Sequence, residues 1–419
     1  MTISKQITDH LFRQQSGKMN SILINQFGFE HSSTVEDIIQ ETFLAALKHW
    51  RMKGIPENPE AWLMQVAKNK LINELQRRKR HGKLNKNIVQ PADLNLLTEN
   101  DELIKREQIK AFFACCSPSI SSKAQIMLTL KIISGFGDRE IAKGLLMSEQ
   151  SVRKSIYRTR KTLKELGKAA FNIGKGEYIE RLDIVLKVLY LMFNEGYYTS
   201  SGDKILDEDI SFEAIRITTW LLEINYLEHG KIHALLSLMF YNFARFESRT
   251  DSSNQIIDIE HQDRSKWDAK FVQQGIYHQR KSRESTEISK YHIESGIAAV
   301  HCLSKSYSET DWNQIVLYYQ RLLTFDNSFI IEINYAIALS EAGEISASLK
   351  LLKGLKRNRM KDSSLLFGAL ARVYQRKGNL EIAKSYYKVA MDMTLSENER
   401  HFFESKLNKL FLNTDGSLN

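Results

Sequence analysis

The sequence predicts an all-α fold, on three observations. Its 419 residues hold four prolines, Pro56, Pro59, Pro91 and Pro118, so the chain beyond them lacks the residue that most readily interrupts a helix. Apolar residues recur at three- and four-residue spacing, and beyond Gly176 one apolar helical pattern follows another. The stretch "FGALARVYQRKGNLEIAKSYYKVAMDMTL" places Phe367, Leu370, Ala371, Tyr374, Ala383, Tyr387 and Ala390 at the spacings of a tetratricopeptide repeat, with small residues where paired helices approach. A fainter unit, Ile331, Tyr335, Ala338, Ala347, Leu351 and Gly354, lies 36 residues upstream of its counterparts.

Composition bounds the function. Hydrophobic residues at 42% and charged residues at 26% are enough to build cores, and the length fits two to four domains of about 100 to 200 residues each. No basic leader precedes an apolar core and no run of 18 apolar residues occurs, so no export or membrane span is expected. Cys115 and Cys116 are adjacent and Cys302 makes the total odd, which gives no disulfide framework and fits a reducing cytoplasm. The net charge of +9 points to a polyanionic partner only if it is clustered.

It is clustered in two helices. Lys68, Lys70, Arg77, Arg78, Lys79, Arg80, Lys83 and Lys86 share their stretch with Glu74 alone, and Arg153, Lys154, Arg158, Arg160, Lys161, Lys164 and Lys168 share theirs with Glu165. The polar segment between, "GKLNKNIVQPADLNLLTENDE", reads as a linker.

Taken in chain order, "STVEDIIQETFLAALKHW" starts on a capping box through Ser33 or Thr34 and buries Val35, Ile38, Ile39, Thr42, Phe43, Ala46 and Leu47. Its other stripe, Asp37, Gln40, Glu41 and Leu44, joins carboxylates to an exposed leucine, a composition suited to a protein partner. "NPEAWLMQVAKNKLINELQRRKR" starts with Asn58 as N-cap and Pro59 at the first helical position. Leu63, Val66, Ala67, Leu71 and Leu75 face inward, and Asn69, Asn73, Gln76, Arg77 and Arg80 share another face. Amides and guanidinium groups in one row both hold phosphates and hydrogen-bond base edges.

The segment from Lys123 to Leu166 divides into a helix, a short helix from Asp138, a turn through Met147 and Ser148, and a long basic helix, the rhythm of a helix-turn-helix. Val152, Ile156 and Leu163 face inward. Gln150, Arg153, Lys154, Tyr157 and Lys161 form the outward stripe that would enter a major groove.

These three segments, in this order, resemble bacterial RNA polymerase sigma factors of the extracytoplasmic-function class. "EDIIQETFLAALKHW" is similar to region 2.2, which docks on core polymerase. "AWLMQVAKNKLINELQRRKR" is similar to regions 2.3 and 2.4, which bind the −10 element, and "DREIAKGLLMSEQSVRKSIYRTRKTL" to region 4.2, which binds the −35 element. "FFACCSPSISSKAQIMLTLKIISG", "VLYLMFNEGYYTSSGD", "EHQDRSKWD" and "TDWNQIVLYYQRLL" are similar to the subgroup with a long tetratricopeptide-like extension.

The resemblance implies region 2 at 8–81, a linker at 82–108, region 4 at 109–170, a helical extension at 177–290 and tetratricopeptide-like repeats at 291–412. It implies core RNA polymerase and promoter DNA as partners, with a regulatory protein on the extension. Asp37, Gln40, Glu41 and Leu44 then belong to the polymerase contact; Asn69, Asn73, Gln76, Arg77 and Arg80 to the −10 strand; Gln150, Arg153, Lys154, Tyr157 and Arg158 to the −35 duplex. Two features depart from the family pattern: Asn73 stands where many members have aspartate, and "SEAGEISAS" replaces an acidic motif with glycine and proline.

No catalytic residue, metal or cofactor is expected. His229 and His233 have metal-pair spacing but no intervening glutamate, and read as surface or capping residues. Glu195, and the group Glu260, Asp263, Arg264 and Asp268, read as loop-fixing networks. Cys115 and Cys116 read as buried small residues. The rival reading is a helix-turn-helix regulator with a tetratricopeptide-type sensor, acting without polymerase.

Overall fold

The computed structural model describes residues 2–80, 101–133, 135–145, 147–166, 173–197, 208–252, 255–358, 363–394 and 397–415. They form two compact units, Met1–Glu228 and His229–Asn419. Among the described residues the regular structure is helical, the β pairing being one isolated bridge between Thr250 and Ile256.

The first unit opens with α1 (Thr2–Phe27), a 3-10 turn (Phe29–His31), α2 (Ser32–Lys53) and α3 (Pro59–Arg80). Gly28 makes the reversal after α1 at φ 97°, a conformation that side chains disfavour. Val35, Ile38, Ile39, Thr42, Phe43 and Ala46 are buried as their periodicity predicts, and so are Leu63, Ala67, Leu71 and Leu75. Asn58 caps α3, its Oδ1 accepting from the Ala61 N–H at 3.0 Å. The capping box expected for α2 is absent. The 3-10 turn feeds straight into the helix, the Ser32 N–H donating to the Phe29 carbonyl, and Thr34 Oγ1 instead accepts from Arg78 Nη1 at 2.9 Å.

Next come α4 (Asp101–Cys115), α5 (Ser122–Ile132), α6 (Asp138–Gly144), α7 (Glu149–Leu166), α8 (Lys175–Tyr197) and α9 (Glu208–Trp220). Two boundaries differ from the sequence reading. Residues 101–108 of the expected linker are the first half of α4, while 82–100 lie outside the described residues. The expected extension begins within the first unit. Arg181 of α8 is buried and its Nη1 donates to the Phe113 carbonyl at 2.8 Å, a second bond to an acceptor in the last turn of α4 that the Cys116 N–H also reaches at 3.1 Å. Tyr178 packs on Phe113 with ring centroids 4.4 Å apart, and Lys105 of α4 pairs with Glu223. Leu182, Val185, Leu186, Val188, Leu189 and Phe193 of α8 are buried. Cys115 and Cys116 are fully buried, and burial pushes the Cys116 thiol up to about 12. Glu195 lies within α8, but its side chain is outside the described set.

The second unit runs α10 (His229–Phe243), α11 (Ala269–Ser282), α12 (Lys290–Leu303), α13 (Trp312–Leu322), α14 (Phe329–Glu341), α15 (Ile345–Asn358), α16 (Ser364–Arg376), α17 (Leu380–Met393) and α18 (Glu397–Asp415). Gly275 lets α11 lie against Tyr241 of α10, where an added Cβ would meet the ring at 2.7 Å. Phe367, Leu370, Ala371, Tyr374, Ala383, Tyr387 and Ala390 are all buried in one core. The fainter repeat needs a correction: Ala347 is exposed and Ser348 takes its place, its Oγ donating to the Ala336 carbonyl at 2.6 Å. Ile331, Ala336, Leu339, Ser348, Leu352 and Leu355 pair with Leu366, Ala371, Tyr374, Ala383, Tyr387 and Ala390 at a constant offset of 35 residues, one less than the sequence spacing indicated.

His233 is no surface cap. Its Nδ1 lies 2.7 Å from Nδ1 of the buried His278, whose ring stacks on Phe240. Burial first, and then His233, push His278 down to about 4. His278 is therefore neutral when folded and charges in the unfolded chain below about pH 6.5. Its contribution is complete above pH 6.5 and shrinks as pH falls toward 4. The second unit is expected to lose about 2 kcal/mol between about pH 6.5 and pH 5, above the range in which ordinary carboxylates titrate. A denaturation midpoint that stayed constant across that window would contradict this.

Candidate nucleic-acid and protein interfaces

Three outward stripes of the first unit carry the candidate residues. On α2, Asp37, Gln40, Glu41 and Leu44 are exposed, Leu44 to 59%, while Phe43 points into the core. Glu41 is tied to α3 through Lys70, Nζ to Oε2 3.1 Å, so this acidic face is braced from behind. Met52 in the last turn of α2 and Ile55 just beyond it are also exposed apolar side chains. Sequence reasoning missed them, since "RMKGIPEN" has no helical periodicity to sort inside from outside.

On α3, Asn69, Asn73, Gln76, Arg77 and Arg80 are all exposed, as the spacing predicts. Asn69 Oδ1 accepts from Gln65 Nε2 at 3.0 Å, one turn back. Glu74 takes Arg77 Nε at 2.9 Å and Arg78 Nε at 2.7 Å, and these two guanidinium groups hold its carboxyl below the ordinary range. Lys68 departs from the expected cationic surface: it is buried, and burial lowers its pKa. A count of basic residues cannot see this, because Lys68 follows Ala67 onto the inward face.

The third stripe lies on α7. Gln150, Arg153, Lys154, Tyr157, Arg158 and Lys161 are exposed, Tyr157 to 74%, while Val152, Ile156 and Leu163 are buried. Thr159 is buried as well and returns its hydroxyl to the Ser155 carbonyl at 2.8 Å. Ser148 caps the helix, its Oγ accepting from the Ser151 N–H at 3.2 Å. Arg153 bridges α6 and α7, donating from Nε to Asp138 Oδ2 at 3.1 Å and pairing with Glu149. Asp138 also pairs with Lys131 of α5 at 3.0 Å. Burial would raise its carboxyl, but Lys131 and Arg153 together hold it low.

The unit brings α2 and α7 together at one further point that spacing alone does not reveal. Glu36, at the start of α2, pairs with Arg160 of α7, both largely shielded from solvent, and α7 also packs on the Phe29–His31 turn. Burial raises the Glu36 carboxyl, with Arg160 opposing it. In all, the arrangement offers one acidic, leucine-bearing face, one amide-and-arginine face and one cationic face with a projecting tyrosine. Among the described residues no helix is long and apolar enough to cross a membrane.

Comparison with known proteins bears on two of these segments. Residues 26–81, which hold α2 and α3, match the family model for Sigma-70 region 2. Residues 181–283 match a family of unknown function, DUF6596, and that match crosses from the first unit into the second. The chain is 27% identical over 392 residues to an uncharacterized protein of Rhizobium meliloti (strain 1021), covering 91% of each chain. No solved structure matches.

Proposed function

We propose that this chain, which carries a sigma-70 region 2 at residues 26–81, is an alternative sigma factor of the extracytoplasmic-function class with a tetratricopeptide-like extension. The observation that carries the reading is the coincidence of the matched segment with α2 and α3, on which every candidate polymerase and −10 residue is exposed. Region 2 is the part of a sigma factor that binds core RNA polymerase, which supports our reading of the Asp37, Gln40, Glu41 and Leu44 face as the contact with that partner.

In this mechanism the α3 face receives the melted −10 strand. Asn69 and Asn73 hydrogen-bond an unstacked base and Gln76, Arg77 and Arg80 follow the backbone, recovering the few kcal/mol that unstacking costs. Helix α6, the turn and α7 act as the region 4 helix-turn-helix, reading −35 base edges with Gln150, Arg153, Lys154, Tyr157 and Arg158. The protein performs no chemistry of its own and works in the cytoplasm, and its extension receives a regulatory protein.

Run-off transcription with purified core polymerase tests this. The full chain is expected to yield promoter-specific transcripts only with core enzyme present, and Asn69→Ala to lower open-complex formation roughly tenfold, the size of a lost base contact. Tight, sequence-specific duplex binding without polymerase, and no transcript with it, would instead identify a helix-turn-helix regulator.

A further inference from the structure

Within the second unit, α16 lies beside both α14 and α18, touching α18 through Gly368 against Phe403 and a hydrogen bond from Ser364 to Glu399. These helices carry a row of cations. Glu341 of α14, its side chain 2% exposed, holds Arg372 by 2.9 Å and Arg376 by 2.8 Å, and Tyr307 receives Arg372 Nη2 at 2.7 Å. Lys406 and Lys409 of α18 face the same space. A buried carboxylate with two arginines is held rigidly, so the outward edges of the guanidinium groups are pre-set for a second carboxylate.

That second carboxylate is present, supplied by the chain itself. Residues 249–252 and 255–257 pair back on each other, the Ile257 N–H donating to the Arg249 carbonyl at 2.8 Å and the Asp251 N–H to the Gln255 carbonyl at 3.0 Å. The segment leaving this pairing presents Asp258 to Lys406 and Glu260 to Arg372, the latter at 3.1 Å. Burial would raise Asp258, yet Lys406 and His261 hold it below the ordinary range. Two cavities flank the segment, of about 730 Å³ and 190 Å³, and both are bounded by His261, Lys406 and Lys409. The larger also has Phe402 in its wall, and the smaller reaches Arg376 and Tyr387.

We propose that this cationic row is a docking groove for an acidic, turn-forming peptide segment of a partner protein, and that residues 255–260 occupy it as an internal mimic which the partner displaces. Asp258 opens a turn, the His261 N–H donating to its carbonyl at 3.0 Å, and from this turn Asp258 reaches Lys406 and Glu260 reaches Arg372. The partner therefore carries an acidic-x-acidic core, with a flanking apolar residue for the wall made by Phe402. Nucleic acid fits less well, because Glu341 stays fixed between Arg372 and Arg376 and repels a continuous row of phosphates. This inference concerns the second unit alone and stands apart from the promoter-binding reading.

The test uses the full chain and a fluorescein-labelled peptide, Gln-Ile-Ile-Asp-Ile-Glu-His-Gln, monitored by fluorescence anisotropy. Asp258→Asn with Glu260→Gln should vacate the groove and bind the peptide at least tenfold tighter than the parent chain. Adding Arg376→Glu and Lys409→Glu should remove that gain, and a peptide with Asn and Gln in place of its acids should bind at least tenfold more weakly. Equal binding by parent and variant, equal binding of the neutral peptide, or equal displacement by single-stranded DNA overturns the proposal. If the double variant loses cooperative unfolding, Lys409→Glu in the parent chain replaces it: a fivefold loss of peptide binding supports the groove and unchanged binding refutes it.

Discussion

Arg153→Glu with Lys154→Glu is expected to reduce run-off transcription from a cognate promoter at least a hundredfold while leaving the affinity for core polymerase within about twofold. Both side chains are exposed on α7 while Val152 and Ile156 are buried, so the change falls on the proposed DNA contact and spares the core. Each reversal removes one cation and places an anion against phosphate, and each lost phosphate or base contact is worth about 1 kcal/mol or more at moderate salt. With the new repulsion added to both losses, the two together reach the roughly 2.7 kcal/mol of a hundredfold change in rate. Arg153 also bridges Asp138 and Glu149, so the reversal sets three carboxylates together. Lys154→Glu with Arg158→Glu leaves that bridge untouched and is expected to give the same loss. If both pairs leave transcription and −35 duplex binding unaltered, α7 does not read DNA.

Ending the chain after residue 174 is expected to unfold α4 to α7, whereas ending it after residue 228 leaves the first unit folded. Removing α8 exposes the faces of α4 and α5 that pack on it and leaves the Phe113 carbonyl without the Arg181 guanidinium. Leu182, Val185, Leu186, Leu189 and Phe193 are buried in that contact region and in the α8–α9 pair. At roughly 1.5 to 3 kcal/mol for each buried side chain, their loss rivals the whole 5 to 15 kcal/mol that holds a typical domain together. Circular dichroism and thermal unfolding of the two truncations decide the matter. A cooperative transition of the same midpoint in both would show that α8 and α9 are dispensable.

This second expectation also marks the limit of what the residues reveal on their own. The outward stripes of α2, α3 and α7 are legible because helical period and burial agree there: Asp37, Leu44, Asn69, Arg80 and Tyr157 all fall where spacing puts them. Contacts between distant segments are not legible. Nothing near Arg181 signals that it will seek a carbonyl 68 positions away, and Glu36 and Arg160 are 124 positions apart. The boundary at 228 leaves no mark in the sequence because α8, α9 and α10 all read as apolar helices and no proline or glycine cluster separates them. The repeat reads one residue out of register, since Ser348 takes the part of an alanine by returning its hydroxyl to a main-chain carbonyl. His278 carries no signal by itself, its partner His233 being 45 positions distant.

The helix pair α8–α9 has a consequence for how such a chain is inherited. A recombination event that joined or removed an extension at the sequence boundary near 175 would pass through a product with an unfinished core, and selection would discard it. Helices α8 and α9 therefore travel with α4 to α7 as one heritable block, and because the family match at 181–283 runs on through α10 and α11, the boundary at 228 is inherited across rather than cut.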